Sequence, residues 1–447
     1  MLEEGSGRDQ HRLEDSSAAA RPPRRSRRRE AMVKICFLLH QGNMYSGGQG
    51  VYVHHVTREL AARGNEVHVI AGPPYPELVA GVQLHKVQNY SIYRLFETGR
   101  SFFYGRPLAN FLHPVNFYEL ATSIAGMFSV MAAFSFRAYQ KLCDLAETHQ
   151  FDMIHDVQGL GYGVLLIKSS GMPVVANIHH PLQVDRANRV RQAHTLGDKI
   201  QWLRFYPFFM QEIVARRVDR IITGSHNAAA SIAREFHLPP EHISVVYDGV
   251  DTETFRPLET PRQPNSLLFV GNSDDRNKGA RYLLEAMALL KDRRDLHLTV
   301  VDRPIAYLVP TLARELGIED RVTLTGRVSR EELVRLYNQT QIFVSPSLYE
   351  GFGLPAAEAM ACGAPVVATT AGAFPEVVED GVSGLLVPPG DASALANAIE
   401  RLLEDGELRQ RLGQESRRRI VDRFSWGETA ERTLALYQEV RSKRAKP

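Results

Sequence analysis

Two carboxylates flank a glycine-rich loop in the run Ser345-Pro-Ser-Leu-Tyr-Glu350-Gly-Phe-Gly-Leu-Pro-Ala-Ala-Glu358-Ala-Met-Ala-Cys-Gly363, with seven residues between Glu350 and Glu358. Ahead of the loop, Gln341-Ile-Phe-Val-Ser345 reads as a buried strand reaching its carboxyl edge. After it, Pro355 suits the first helical position, where a missing N–H costs nothing. Gly351 and Gly353 allow a sharp turn and a close approach of backbone to a ligand. The free amides at the start of the helix, with the positive dipole end behind them, make an anion site. Carboxylates on either side accept hydrogen bonds from hydroxyls. Amides for a diphosphate and carboxylates for hydroxyls together suit a sugar nucleotide.

Other runs add chemistry. Gly47-Gly48-Gln49-Gly50 follows a strand and opens a helix, but does not match the GxGxxG fingerprint. No acid stands at a clear ribose position after the second strand, which argues against a dinucleotide-dependent dehydrogenase. Gly271-Asn-Ser-Asp-Asp-Arg276-Asn-Lys278-Gly279 lies between a strand and a helix and brings cations to a strand's carboxyl end. Cations there can stabilise a group that gains negative charge during a reaction. The adjacent Asp274 and Asp275 point in different directions and make poor metal ligands, and no His or Cys cluster has metal spacing. No required metal and no cofactor are expected. His179 ends a strand, where a histidine can bond hydroxyls or carry a proton; His155-Asp156 closes the preceding strand and is ranked second for the same crevice. Glycosidases set two carboxyls on opposite sides of the scissile bond. Glu358 sits a helical turn past the loop instead, so the two glutamates read as a binding pair.

The elements that position these residues alternate strand and helix twice. Short apolar strands at 33–39, 66–70, 153–155, 173–178 and 220–223 read as a parallel sheet covered on both faces. A second series begins at 266–270, 296–301, 321–325, 342–345, 365–368 and 384–387, with helices at 279–291, 307–316, 330–339, 391–404 and 406–422. The predicted fold is α/β, with two doubly wound, Rossmann-like parallel-sheet domains facing across a cleft. The predicted boundaries are a disordered basic tail at 1–31, an acceptor domain at 32–255, a Pro-rich linker at 256–265, a sugar-nucleotide domain at 266–425 and a terminal segment at 426–447. Such sheets bind ligands outside the carboxyl ends of their strands.

Composition bounds the rest. Of 53 Lys and Arg, 8 lie in residues 1–31, and of 51 Asp and Glu, 6 lie there, so the body balances at 45 of each. That balance gives no bias toward nucleic acid. The tail, with Arg24-Arg-Ser-Arg-Arg-Arg29, reads as a solvated extension, or as an over-called start with Met32 the true initiator. Cys36, Cys143 and Cys362 are scattered among apolar neighbours and read as reduced core residues of a cytoplasmic protein. No apolar signal segment is visible. Aromatic stretches at 101–107 and 111–118 are candidates for acceptor contact. Phe128–Phe136, followed by Arg137 and Lys141, is open to two readings: a helix resting peripherally on the inner membrane face, or a buried helix.

The whole run from Ser345 to Val367 resembles the Glu-x7-Glu signature of retaining glycosyltransferases of family 4, the group 1 type, with the GT-B fold; the resemblance spans Met32 to about Tyr437. It implies that Glu350 contacts the donor sugar, that Glu358 holds the ribose hydroxyls, and that amides around Gly351, Phe352, Gly353 and Leu354 contact the diphosphate. It places Gly47 and Gly48 near the donor diphosphate and the acceptor, and His179 near the donor sugar and the acceptor, with Glu350, Lys278 and His179 as the catalytic candidates. Lys278 matches the family's phosphate-binding lysine. Asn272 stands where the family has arginine, and Arg276 is the candidate replacement. Arg327 and Val328 fall where backbone meets the base. The last helix, from about Trp426, is expected to return to the first domain. The implied activity is retaining, metal-independent transfer of a sugar from a nucleotide-diphosphate donor to a hydroxyl of a glycan, lipid-linked or small-molecule acceptor. In the family the donor's own phosphate is thought to deprotonate the acceptor. An epimerase, a phosphorylase or a catalytically silent sugar-binding partner are the alternatives. Base, sugar, acceptor and oligomeric state are not readable from the chain.

Overall fold

The computed structural model describes residues 32–445 except 45–47, 90–111, 180, 184–185, 188–189, 191–192, 194, 206–208, 294 and 304. The tail, Gly47 and the aromatic stretch at 101–107 therefore lie outside the described residues.

Among the described residues, β1 (Lys34–Leu39), β2 (Glu66–Ala71), β3 (Val82–Lys86), β4 (Met153–Val157), β5 (Val174–Asn177), β6 (Arg220–Thr223) and β7 (Ile243–Val245) form one sheet. Their order is β3-β2-β1-β4-β5-β6-β7. Then β8 (Ser266–Val270), β9 (His297–Val301), β10 (Val322–Gly326), β11 (Ile342–Ser345), β12 (Val366–Thr369) and β13 (Leu385–Val387) form a second, ordered β10-β9-β8-β11-β12-β13. Every pairing is parallel. Central strands such as β4 and β12 are buried throughout, because helices cover both faces of the sheet. Strand order reverses between β1 and β4 and again between β8 and β11. Those two switch points open the crevice into which the loops after β1, β4, β8 and β11 project.

β3 and β7 go beyond the sequence expectation. Both lie at sheet edges and lack a fully buried residue, so neither carries the apolar run that marks the central strands. One expectation is corrected. Cys143 is exposed, whereas Cys36 and Cys362 are buried. Of the two readings of 128–136, the buried helix fits: in the helix Val130–Ala146, residues Val130 to Phe134 are all buried. No helix among the described residues is long and apolar enough to cross one.

Two chain crossings join the sheets side by side. Val250 donates its amide to the Phe424 carbonyl at 2.8 Å. A Cβ on Gly249 would lie 2.3 Å from the Trp426 nitrogen, so only glycine lets the crossings approach. From there the helix Trp426–Ala445 packs on the first sheet. Its Trp426, Leu434, Tyr437 and Val440 join Phe37, Tyr52 and Val67 in one core. The Pro-rich segment after the first crossing is clamped along the second sheet: Arg262 donates to the carbonyls of Thr340 and Gly363, both at 2.7 Å. Farther out, Glu376 accepts the amides of His226 and Asn227 at 2.8 and 2.9 Å, and the Tyr247 hydroxyl at 3.0 Å. A carboxylate at the start of the helix His226–Phe236 also satisfies that helix's dipole and fixes the two halves against each other.

Candidate active site

The loop after β11 carries Glu350, and the loop after β8 carries Lys278; they meet at the β8/β11 switch point. Lys278 Nζ donates to both Glu350 oxygens, at 2.8 Å to Oε2 and 3.2 Å to Oε1. The Ser347 hydroxyl donates to Oε2 at 3.3 Å. Burial alone would lower the Lys278 pKa, but Glu350 and then Asp275 outweigh it and hold the ammonium above its ordinary value. The loops interlock through backbone. The Leu348 amide donates to the Asn277 carbonyl at 2.7 Å. Gly279 has φ +67°, and a Cβ there would sit 2.0 Å from the Pro346 oxygen.

Gly353 caps the helix Leu354–Ala361 with φ 90°. Pro355 is thus the second helical residue rather than the first, and still lies in the turn whose amides have no helical acceptor. The Phe352 ring is buried in the core edge-on to Phe424, so only its backbone is available to a ligand. A helical turn on, Glu358 accepts the Tyr337 hydroxyl at 2.9 Å. Burial raises its pKa to about 7, against the pull of Tyr337 and Arg330.

The facing wall comes from the first sheet. A Cβ on Gly48 would lie 3.7 Å from Leu354 Cδ1, and one on Gly351 would lie 3.1 Å from the His179 carbonyl oxygen. Gly48, His179, Gly351 and Leu354 therefore line the two sides of one narrow cleft. The His179 amide donates to Gln158 Oε1 at 2.7 Å, and its Nδ1 lies 3.6 Å from Asp248 Oδ2. Its Nε2 and Asp248 Oδ1 are buried with no hydrogen-bond partner among the described residues. His179 and Asp248 thus each keep an unsatisfied polar atom beside the Gly351 side of the cleft.

Other predicted residues are placed as follows. Arg276 is exposed on the turn Arg276–Lys278, and the exposed Asn272 accepts the Asp274 amide at 3.2 Å. Arg327 and Val328 follow β10, with Val328 packed against the core that holds Phe352. Asp274 accepts the amides of Tyr307 and Leu308 at 3.0 and 2.8 Å, and Asp275 accepts that of Asn277 at 3.0 Å. Asp274 thus ties its loop to the start of the helix Leu308–Glu315, and Asp275 closes its own turn.

His155 is corrected. It lies mid-strand, stacked on Phe37 with centroids 4.7 Å apart and bonded to the Tyr437 hydroxyl at 2.5 Å. Burial lowers its pKa to about 3, so it is a neutral core residue. Asp156, also buried, accepts the Leu160 amide at 2.6 Å and shapes the loop after β4. Sequence reasoning missed Asp248, Gln158 and Glu376. The run Tyr247-Asp-Gly-Val250 held a signal for the first: a lone acid before a glycine just past a strand.

Comparison with known proteins agrees with this geometry. The family model for glycosyl transferases group 1 matches residues 250–419, and that for glycosyltransferase family 4 matches residues 46–254. The chain is 40% identical over 412 residues to an MMP alpha-(1->4)-mannosyltransferase of Mycolicibacterium hassiacum, covering 91% of this chain and 98% of that one. It is 30% identical over 424 residues to a D-inositol 3-phosphate glycosyltransferase of Thermomonospora curvata, covering 88% and 90%. Among solved structures, sucrose-phosphate synthase from Thermosynechococcus elongatus shares the fold, with a TM-score of 0.70 at 24% identity, covering 92% of this chain and 100% of that one. The paired sheets, the interlocked Lys278 and Glu350 loops and these matches together make the chain a glycosyltransferase of the group 1, family 4 type with the GT-B fold.

Proposed function

We propose that this enzyme transfers a hexosyl group, with mannosyl the leading reading, from a nucleotide-diphosphate donor to a sugar hydroxyl, retaining the anomeric configuration and using no metal or cofactor. The observation that carries the reading is the Lys278–Glu350 pair at the β8/β11 switch point beside the Leu354–Ala361 helix start. A diphosphate at that helix start competes with Glu350 for Lys278. Drawing the ammonium to the leaving phosphate frees the Glu350 carboxylate for donor-sugar hydroxyls. Lys278, with Arg276 standing in for the arginine absent at Asn272, then neutralises the charge that grows on the leaving group. Both sides of the cleft hold the two substrates in reach, which lowers the entropic part of the barrier. His179, set against Asp248, is assigned to hydroxyls of the donor sugar or acceptor. The acceptor rests on 32–255 and the donor on 266–425. The mannosyl assignment is supported by the 40% identity to the mannosyltransferase, and an α-(1→4) product from an α-linked nucleotide sugar is a retention. Free, buried Cys36 and Cys362 suit a cytoplasmic setting. The test is the anomeric configuration of the product formed from UDP-, GDP-, ADP- and dTDP-hexoses in the presence of chelator.

The Glu358 assignment has its own pH signature. With a pKa of about 7 before ligand binds, the side chain must lose a proton to accept ribose hydroxyls as a carboxylate. Binding that favours the ionised form strengthens as pH rises toward about 7 and levels off above it. Nucleoside-diphosphate affinity is expected to rise by up to about tenfold per pH unit below that point. Glu358→Gln accepts hydrogen bonds but does not titrate. Titration calorimetry on both proteins isolates the glutamate's share from the nucleotide's own ionisation, and equal pH slopes would remove the assignment.

A further inference from the structure

A cluster of imidazoles lies at the β2–β3 edge of the first sheet. His68 on β2 is fully buried. His85 on β3 sits diagonally across the ladder, since Ile70 pairs with His85. The two rings stack with centroids 5.2 Å apart, and His68 Nδ1 lies 2.9 Å from His85 Nε2. His149, from the loop ahead of β4, meets the His68 ring edge-on at 4.7 Å. Its Nδ1 lies 2.7 Å from the Thr148 hydroxyl oxygen. Glu66 offers Oε1 to His68 Nε2 at 3.1 Å while Lys34 holds its Oε2 at 3.2 Å. Phe151 stacks on His149 and abuts His68 edge-on. One donor atom from each of Glu66, His68 and His149 lies within 4.8 Å of the others.

The Nδ1 of His68 and that of His149 are each held by a neighbour, which fixes the ring and leaves Nε2 as the ligand. Metal-binding histidines are oriented this way by an outer layer of hydrogen bonds. Two imidazoles and one carboxylate form a donor set for a borderline cation, whereas magnesium and calcium need more oxygen. We propose that Glu66, His68 and His149 form a site for one zinc-type divalent cation, with water as the fourth ligand and His85 as the residue that orients His68. The residues come from β2 and from the loop ahead of β4, so their sequence spacing hides the site. The ion ties the β2–β3 edge to that loop. It shares no residue with the cleft and has no part in sugar transfer.

The test is zinc titration of the untagged full chain by calorimetry, with melting temperature and the visible spectrum of the cobalt form read alongside. One ion per chain is expected, with a raised melting temperature and an intense cobalt band of a four-coordinate site. His85→Asn should weaken binding by about 10- to 100-fold, and His149→Gln by more. His149 is partly exposed in a loop, so its variant tests the site without a core change. Equal zinc affinity in the wild type, His149→Gln and Glu66→Gln, or no binding by the wild type, would overturn the site.

Discussion

Replacing Lys278 with alanine is expected to lower kcat by about 10²–10³-fold, equivalent to roughly 2.7–4 kcal/mol of transition-state stabilisation. The side chain is 29% exposed and Glu350 is 14% exposed, so the pair stands in a sheltered cleft where charge interactions exceed their value in water. Its 2.8 Å contact with Glu350 holds the cation at the β8/β11 switch point, and the Gly279 turn packs against Pro346. On the proposed reading, loss of the ammonium removes the charge that meets the departing diphosphate and leaves Glu350 facing it directly. The fall should appear mainly in kcat, because leaving-group charge peaks in the transition state. Lys278→Arg keeps the charge but not the compact geometry and should recover only part of the rate. Initial-rate kinetics with saturating donor decide this, and a kcat within about threefold of the wild type would exclude a role in leaving-group stabilisation.

Gly372→Ala should be nearly as damaging, although residue 372 has no assigned ligand contact. Gly372 has φ +60°, and a Cβ there would lie 2.0 Å from the Glu350 oxygen and 2.7 Å from its nitrogen. The next amide, Ala373, donates to that same Glu350 oxygen at 3.0 Å. The obstruction is backbone, so no side-chain rotation relieves it and the Glu350 loop must move. A shift of about 1 Å at a positioning loop costs about 10²-fold in rate, and overpacking of this kind costs about 1–3 kcal/mol of stability. Gly381 is the control: its φ is +71°, but a Cβ there would meet nothing within 4 Å. Gly381→Ala should carry only the backbone strain of about 1–2 kcal/mol and keep its activity. Parallel kinetics and thermal melts of the two variants separate loop displacement from general destabilisation. Equal activity losses would refute the positioning argument.

Legibility followed locality. The strand, loop and helix around Glu350 were readable because glycine, proline and an apolar run act within a few residues. The helix at 330–339 likewise appears as Arg330–Gln339, and that at 391–404 as Ala392–Glu404, since polar caps and apolar periodicity mark both. His155 misled because it belongs to a buried central strand, and its partner Tyr437 lies 282 residues away. Asp248 and Glu376 escaped for the same reason: each acts across a tertiary contact, Glu376 on amides 149 and 150 residues distant. Cys143 sits on a helix whose first turns are buried, and its apolar neighbours gave no sign that its own face is exposed. β3, with the sequence Val82-Gln-Leu-His-Lys86, and β7, three residues long, are only partly buried, so neither carried the apolar run of the central strands.

Retention of configuration is the claim on which the assigned roles of Glu350, Lys278 and Glu358 converge. The most direct test incubates the enzyme with each nucleotide hexose, a panel of sugar acceptors bearing free hydroxyls, and EDTA. The anomeric carbon–proton coupling of the first-formed product is then read by NMR. An α-linked product from one preferred donor, formed at the same rate with and without EDTA, is the predicted result. A β-linked first product, or turnover abolished by EDTA and restored by magnesium, would contradict it.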